Sequence, residues 1–282
     1  MGKIRKIVLP GVLVAATGVG AGDLITAGLA GIKVGCLVLW AVVLGVILKW
    51  ALTEGIARWQ LATQTTLLEG WTNHLGKWIQ RIFFCYLILW SFVVGGALIN
   101  ACGVAGTNFH TLTGNINTGK IVWGILHAVA GIILVRLGGF QLFEKLMAVS
   151  IGLMFTTVII TAIAIKPDWG QVFKGLLIPS IPDQGLKWVL SLLGGVGGTV
   201  TVLSYGYWIT EKNRKGMAGL KESRIDLTVA YGLTGIFSIA MIIIAGNLPS
   251  FDTKGIHLAV AIGNELDNTL GTWSKWCFLT GF

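Results

Sequence analysis

Ala16-Thr17-Gly18-Val19-Gly20-Ala21-Gly22-Asp23 lies inside an apolar run from Ile7 to Ile32, and Gly194-Gly195-Val196-Gly197-Gly198-Thr199-Val200-Thr201 lies inside a charge-free run from Trp188 to Thr210. Glycine weakens a helix by about 1 kcal/mol relative to alanine, so each cluster invites unwinding at membrane depth. Unwound backbone survives in a bilayer only where protein buries it or where it lines a cavity. A pair of interrupted apolar segments in matching halves of a chain is a pointer to a substrate site. The glycines have a plainer use as well. Gly18 with Gly22, and Gly194 with Gly198, fit the small-xxx-small pattern of close helix packing. One such cluster alone reads as packing. Two in equivalent helices, one of them carrying an acid, read as a site.

The surrounding composition fixes the setting. Of 282 residues, 54% are hydrophobic and only 12% charged, against about 25% charged in soluble domains. This predicts an all-α integral membrane protein, with the lipid bilayer as its first partner. The net charge of +9 does not imply nucleic acid. The basic residues flank apolar runs, as orientation in a membrane requires, and no basic stripe alternates with exposed aromatics. Cys36, Cys85, Cys102 and Cys277 show no CxxC spacing and read as unpaired thiols. Lys3, Arg5 and Lys6 precede an apolar run too long for a cleaved leader.

Seven spanning segments are expected: Ile7–Ile32, Val34–Leu52, Ile82–Val104, Ile121–Val135, Leu146–Ile165, Trp188–Thr210 and Leu227–Leu248, with an eighth starting near Leu270. Thr53–Gln80, with three tryptophans, Glu54, Arg58 and Glu69, reads as an interfacial helix or hairpin whose charges pair with one another. With the N-terminus in the cytoplasm, fourteen of the 21 lysines and arginines, Lys49 among them, fall on the cytoplasmic side. This is the bias of a plasma-membrane protein, here expected in a bacterial inner membrane. The broken segments are the first and the sixth, which are equivalent positions in two five-helix inverted repeats. The chain thus reads as one transmembrane domain over 1–282, with a first repeat at about 7–165 and an incomplete second at about 187–282. Seven to eight of the core helices are present, as in a C-terminally truncated protein.

Three stretches resemble the Nramp family of divalent-metal transporters: Leu9-Pro10-Gly11-Val12-Leu13-Val14-Ala15, the segment from Glu54-Gly55-Ile56-Ala57-Arg58 through Leu67-Leu68-Glu69, and the loop from Lys166-Pro167-Asp168-Trp169 to Pro179-Ser180-Ile181-Pro182. The resemblance implies the inverted-repeat fold of the leucine-transporter superfamily. It also marks departures. The family's Asp-Pro-Gly-Asn becomes Gly20-Ala21-Gly22-Asp23, and its Met-Pro-His becomes Thr201-Val202-Leu203. Its two third-helix acids on the proton route correspond to Leu89 and Phe92.

Those departures change the chemistry. A thioether selects transition metals, whereas carboxylate, hydroxyl and carbonyl oxygens suit magnesium, calcium or manganese. Asp23, Thr17, Gly20, Gly198 and Thr201 are therefore the expected ion contacts, the glycines through carbonyls freed by unwinding. A single acid in a widened site suits a partly hydrated ion. By resemblance, Nramp relatives lacking the methionine are associated with magnesium. The expectation is a hard divalent cation, magnesium before manganese, as substrate, with no cofactor. A proton relay needs titratable groups in sequence, and Ile82–Val104 offers only Cys85 and Cys102, so uncoupled transport is expected.

Other readings stand beside this one. Asp23 also suits a helix N-cap. Thr26 and Thr199 suit hydrogen bonds to their own backbone four residues back. His127 reads as a helix contact and Asn100 as a bridge between helices. The glycine-rich first break also resembles that of amino-acid or amine transporters of the same superfamily, with Asp23 facing a substrate amine. No HExxH, GxSxG or P-loop motif is present, so no enzyme is expected.

Overall fold

The computed structural model describes residues 21–110, 112–195, 200–248 and 257–281. Among them, eleven α-helices follow one another. α1 (Ala21–Val34) passes through a 3-10 turn (Gly35–Val38) into α2 (Leu39–Thr63). Gly35 makes that bend at φ +60, a left-handed conformation that costs glycine little. α3 (Leu67–Leu75) opens with a capping box between Thr66 and Glu69. α4 (Lys77–Phe109), α5 (Ile116–Ala164) and the short α6 (Trp169–Leu177) follow. α7 (Leu186–Gly195) and α8 (Val200–Glu211) flank residues 196–199, and α9 (Gly216–Gly246), α10 (His257–Leu270) and α11 (Thr272–Gly281) complete the series.

Among the described residues, five helical stretches are long and apolar enough to cross a bilayer: Gly22–Thr63, Lys77–Phe109, Ile116–Leu137, Lys145–Ala164 and Gly216–Gly246. α9 is the centre of the packing and lies against α1, α2, α5 and α10. Phe237, Met241, Ile242 and Ile244 of α9 meet Leu24, Ala27 and Ala30 of α1 in one buried cluster. In lipid such contacts come from close van der Waals packing rather than from expulsion of water, which is why α1 meets α9 through small residues. A Cβ on Gly31 would stand 2.5 Å from the Ile242 carbonyl oxygen.

The element boundaries correct the sequence reading in four places. α2 does not stop near Leu52; it continues to Thr63, so the proposed interfacial segment is mostly the end of a membrane-length helix. Its polar residues misled because Thr53, Glu54 and Gln60 are buried and paired within the protein, not set at the headgroups. Ile121–Val135 and Leu146–Ile165 lie on the single helix α5, where a loop was expected between them. The connecting residues 136–145 hold no proline, and none adopts a positive φ, so nothing in the backbone forces a turn. α9 begins at Gly216, not near Leu227, which places Lys221 and Arg224 on a helix. Residues 257–270 form α10, a helix the reading did not assign.

Candidate functional site

Asp23 lies in the first described turn of α1 and is 6% exposed. α1 packs beside α7, and the contact falls at the glycines. A Cβ built on Gly195, the last residue of α7, would stand 3.8 Å from Asp23 Oδ1, 3.6 Å from Thr26 Cγ2 and 3.8 Å from Thr26 Oγ1. The described edges of the two glycine clusters are thus neighbours. Any side chain at 195 would fill the space in front of the carboxylate.

The other expected ion contacts fall differently. Thr17, Gly20 and Gly198 lie outside the described residues, as does Thr199. Thr201 is in the first turn of α8. Thr26, which the sequence reading assigned to its own backbone, lies at the same contact, with its methyl and hydroxyl about equally near the Cβ position on Gly195.

α2 supplies what the sequence reading missed. One face of it buries Gly45, Lys49, Thr53, Ala57, Gln60 and Leu61, at the spacing of a single helical stripe. Thr53 Oγ1 shares a 2.7 Å hydrogen bond with the Tyr231 hydroxyl of α9 and donates to the Lys49 carbonyl at 2.8 Å. The Asp23 carboxylate acts electrostatically on both Lys49 and Tyr231. Lys49 is 7% exposed and lies inside the helix bundle, not at the cytoplasmic end of its helix as expected. The signal was in the sequence: a lysine four residues before a threonine and eleven before Gln60, on a stripe otherwise of small residues.

A polar clamp closes one end of the bundle. Gln60 Nε2 donates to the Gly206 carbonyl at 2.9 Å and to Thr210 Oγ1 at 3.2 Å, tying α2 to α8. Glu54 accepts from Arg58 at 2.5 Å and from Arg224 of α9 at 2.7 and 2.8 Å. Arg214 donates to Asp226 Oδ2 at 3.0 Å, to Tyr205 at 2.8 Å and to Ser223 Oγ at 3.2 Å. Glu69 is not part of the Glu54–Arg58 set; its carboxylate closes the α3 capping box with Thr66.

α4 presents the opposite character. Leu89 and Phe92, the positions matching the two proton-route acids, are 68% and 84% exposed. Asn100, expected to bridge helices, is exposed as well. His127 donates from Nδ1–H to the Trp123 carbonyl, 2.8 Å away, within its own helix. The four cysteines are unpaired, as read from the sequence. Among the described residues no three His, Cys, Asp or Glu side chains gather as a metal cluster. The oxygen donors in view at this contact are the Asp23 carboxylate and the Thr26 hydroxyl.

The family model described as natural resistance-associated macrophage protein-like, Nramp, matches residues 11–282. A divalent metal cation transporter, MntH, of Caldanaerobacter subterraneus subsp. tengcongensis is 27% identical over 121 residues, covering 40% of this chain and 28% of that protein. The Eremococcus coleocola manganese transporter, solved with an aromatic bis-isothiourea compound, superposes with a TM-score of 0.78 at 17% identity, covering 98% of this chain and 62% of that one. A point mutant of the same transporter gives 0.73 at 19% identity, with 96% and 60% covered. The chain spans about three-fifths of the length of these solved structures. The likeness shows the fold, the inverted-repeat arrangement expected from the broken helices.

Proposed function

The chain belongs to the Nramp family, and on that premise we propose that it moves a hard divalent cation, magnesium before manganese, across the membrane at the meeting of α1 with the α7–α8 junction. One observation carries the reading: the Asp23 carboxylate, buried in a membrane-spanning helix, faces Gly195 at the edge of the second glycine cluster. An ionisable group within a membrane is costly and marks an ion or substrate path. Thr17, Gly20, Gly198 and Thr201 complete the oxygen donors in this proposal. The curated relative is named for divalent metal cations and the solved neighbour for manganese, which supports the class of substrate. The exchange of the family's methionine for Thr201 favours oxygen-preferring ions within that class. The ion is cargo, no cofactor is invoked, and the protein acts as a transporter rather than an enzyme.

Transport in this reading is not proton-coupled, since the two positions of the family's acids carry Leu89 and Phe92. The cytoplasmic side is the end that holds Arg58, Arg214 and Arg224, where the α2 and α8 C-termini meet the start of α9. That agrees with an N-terminus inside a bacterial plasma membrane.

The test is ion uptake into liposomes holding the full-length protein. Magnesium and manganese are expected to enter and to compete with each other, with no acidification of the lumen, and Asp23→Ala is expected to abolish entry. Preference for cadmium or iron over magnesium would falsify the hard-ion assignment, and acidification driven by the ion would remove the uncoupled one.

A further inference from the structure

Two contacts fix the height of the buried stripe on α2. A Cβ on Gly45 would meet the Leu192 carbonyl oxygen and the Leu193 Cα at 3.3 Å each, so that turn of α2 rests on the end of α7. Gln60 reaches the Gly206 carbonyl, so its turn rests on α8. Lys49 is one helical turn beyond Gly45 on the same face and lies between these contacts. It therefore stands close to the last turn of α7, the turn whose Gly195 faces Asp23. Its side chain is buried there, within electrostatic reach of Asp23. Tyr231, which shares a hydrogen bond with Thr53 one turn further along the stripe, feels the same carboxylate. A carboxylate, an ammonium and a phenol are thus gathered near the end of α7, from α1, α2 and α9.

We propose that Lys49 is a tethered competitor of the transported ion: its ammonium neutralises Asp23 while no ion is held, gives way when a divalent cation arrives, and returns to the carboxylate as the cation leaves. The inference rests on Asp23 being an ion contact. A lone carboxylate in a membrane is stable when a charge of opposite sign stands close. Lysine suits the part because its charge sits on a flexible four-carbon stem and withdraws without movement of the helix. A divalent ion beside Asp23 alone leaves one positive charge in the site. With the ammonium nearby it leaves two. Lys49 therefore weakens binding, and a conducting site must bind weakly enough to let go.

Calorimetric titration of Mn²⁺ and Mg²⁺ into the purified full chain tests this, with Lys49→Met, Lys49→Gln, Lys49→Arg and Asp23→Asn compared with the parent. Both neutral variants are expected to bind Mn²⁺ about tenfold tighter or more, and Lys49→Arg to bind like the parent. Metal-free melting gives a second readout. Lys49→Gln and Asp23→Asn are each expected to lower the melting temperature, and the double variant by less than their sum. Loss of Mn²⁺ binding in Asp23→Asn together with unchanged or weaker binding in both neutral Lys49 variants overturns the role of Lys49 and leaves the ion reading in place. Additive metal-free melts overturn the pairing. Full Mn²⁺ binding by Asp23→Asn overturns the ion reading itself, and the competitor role with it.

Discussion

α9 and α4 are alike in the sequence and opposite in the structure. They have 31 and 33 residues and both are apolar enough to span a bilayer. In its most apolar stretch α9 is 67% buried, and α4 is 0% buried. α9 carries Ser223, Asp226, Thr234 and Ser238 at 1% exposure or less, while α4 displays Phe84, Leu89, Phe92 and Val93. Hydropathy decides which segments enter the membrane, because each must shed water. It does not decide which ones lie at the centre, since lipid is as good a neighbour for leucine as another helix is. Small residues and buried polar groups with partners on other helices make that choice here. The residues proposed to handle the ion accordingly sit among α1, α2, α8 and α9, and α4 contributes none of those proposed.

The sharpest way to break this contrast is at the most buried ion pair. Arg214 and Asp226 have side chains 2% and 0% exposed. Arg214→Met alone, which strands a carboxylate, is expected to destabilise by about 3–5 kcal/mol, and Arg214→Met with Asp226→Leu by much less. Denaturation in detergent measures both. Equal losses would show that the pair matters only for its packing.

Glycines give a test with opposite signs. Gly31→Ala in α1 drives a methyl into the Ile242 carbonyl and is expected to cost about 1–3 kcal/mol. Gly95→Ala in α4 meets nothing within 4 Å and is expected to stabilise by up to about 1 kcal/mol, the helix-propensity gain. A stabilising Gly31→Ala would mean that α1 and α9 are not held as closely as described.

Glu54→Gln removes the ionic link between α2 and α9. Because Arg58 and Arg224 are 62% and 47% exposed, water already screens much of it, and a loss of about 1 kcal/mol is expected. Its salt dependence is the check: the difference from the parent should shrink as ionic strength rises.

The smallest effect belongs to the loop before α6. Hydrogen bonds from the Gln171 backbone and side chain, and then from the Gly170 N–H, hold the Asp168 carboxyl below its ordinary value of 3.8. A carboxyl depressed in the folded state adds stability above its unfolded value and loses it as pH falls through the folded one. The melting temperature is therefore expected to show no change from Asp168 between about pH 7 and about pH 5, where its contribution is fully present, and a loss only in stronger acid. Asp168→Asn, which keeps the cap without the charge, is expected to remove that acid dependence. A parent and variant with the same profile would show that another group titrates there.

Much of this was legible in the chain. Apolar runs gave the membrane, the glycine clusters gave helices one and six as the partners to compare, and Asp23 was identified as the one acid among them. All of that depends on local chemistry: the cost of charge in lipid and of glycine in a helix hold wherever the segment packs. The lengths of α2 and α9, the unbroken α5 and the existence of α10 were not legible. Their ends are set by turns and by polar residues whose status, buried and paired or wet, depends on neighbours far along the sequence. Lys49 is the clearest case. As a sequence it is a lysine at the end of an apolar run, which orientation rules assign to the membrane surface. Only the tertiary structure, by laying both α2 and α1 against the end of α7 and α2 along α8, brought that charge within electrostatic reach of the carboxylate of Asp23. Electrostatic energy falls off with distance between groups, and residues 23 and 49 have no fixed distance until the helices pack.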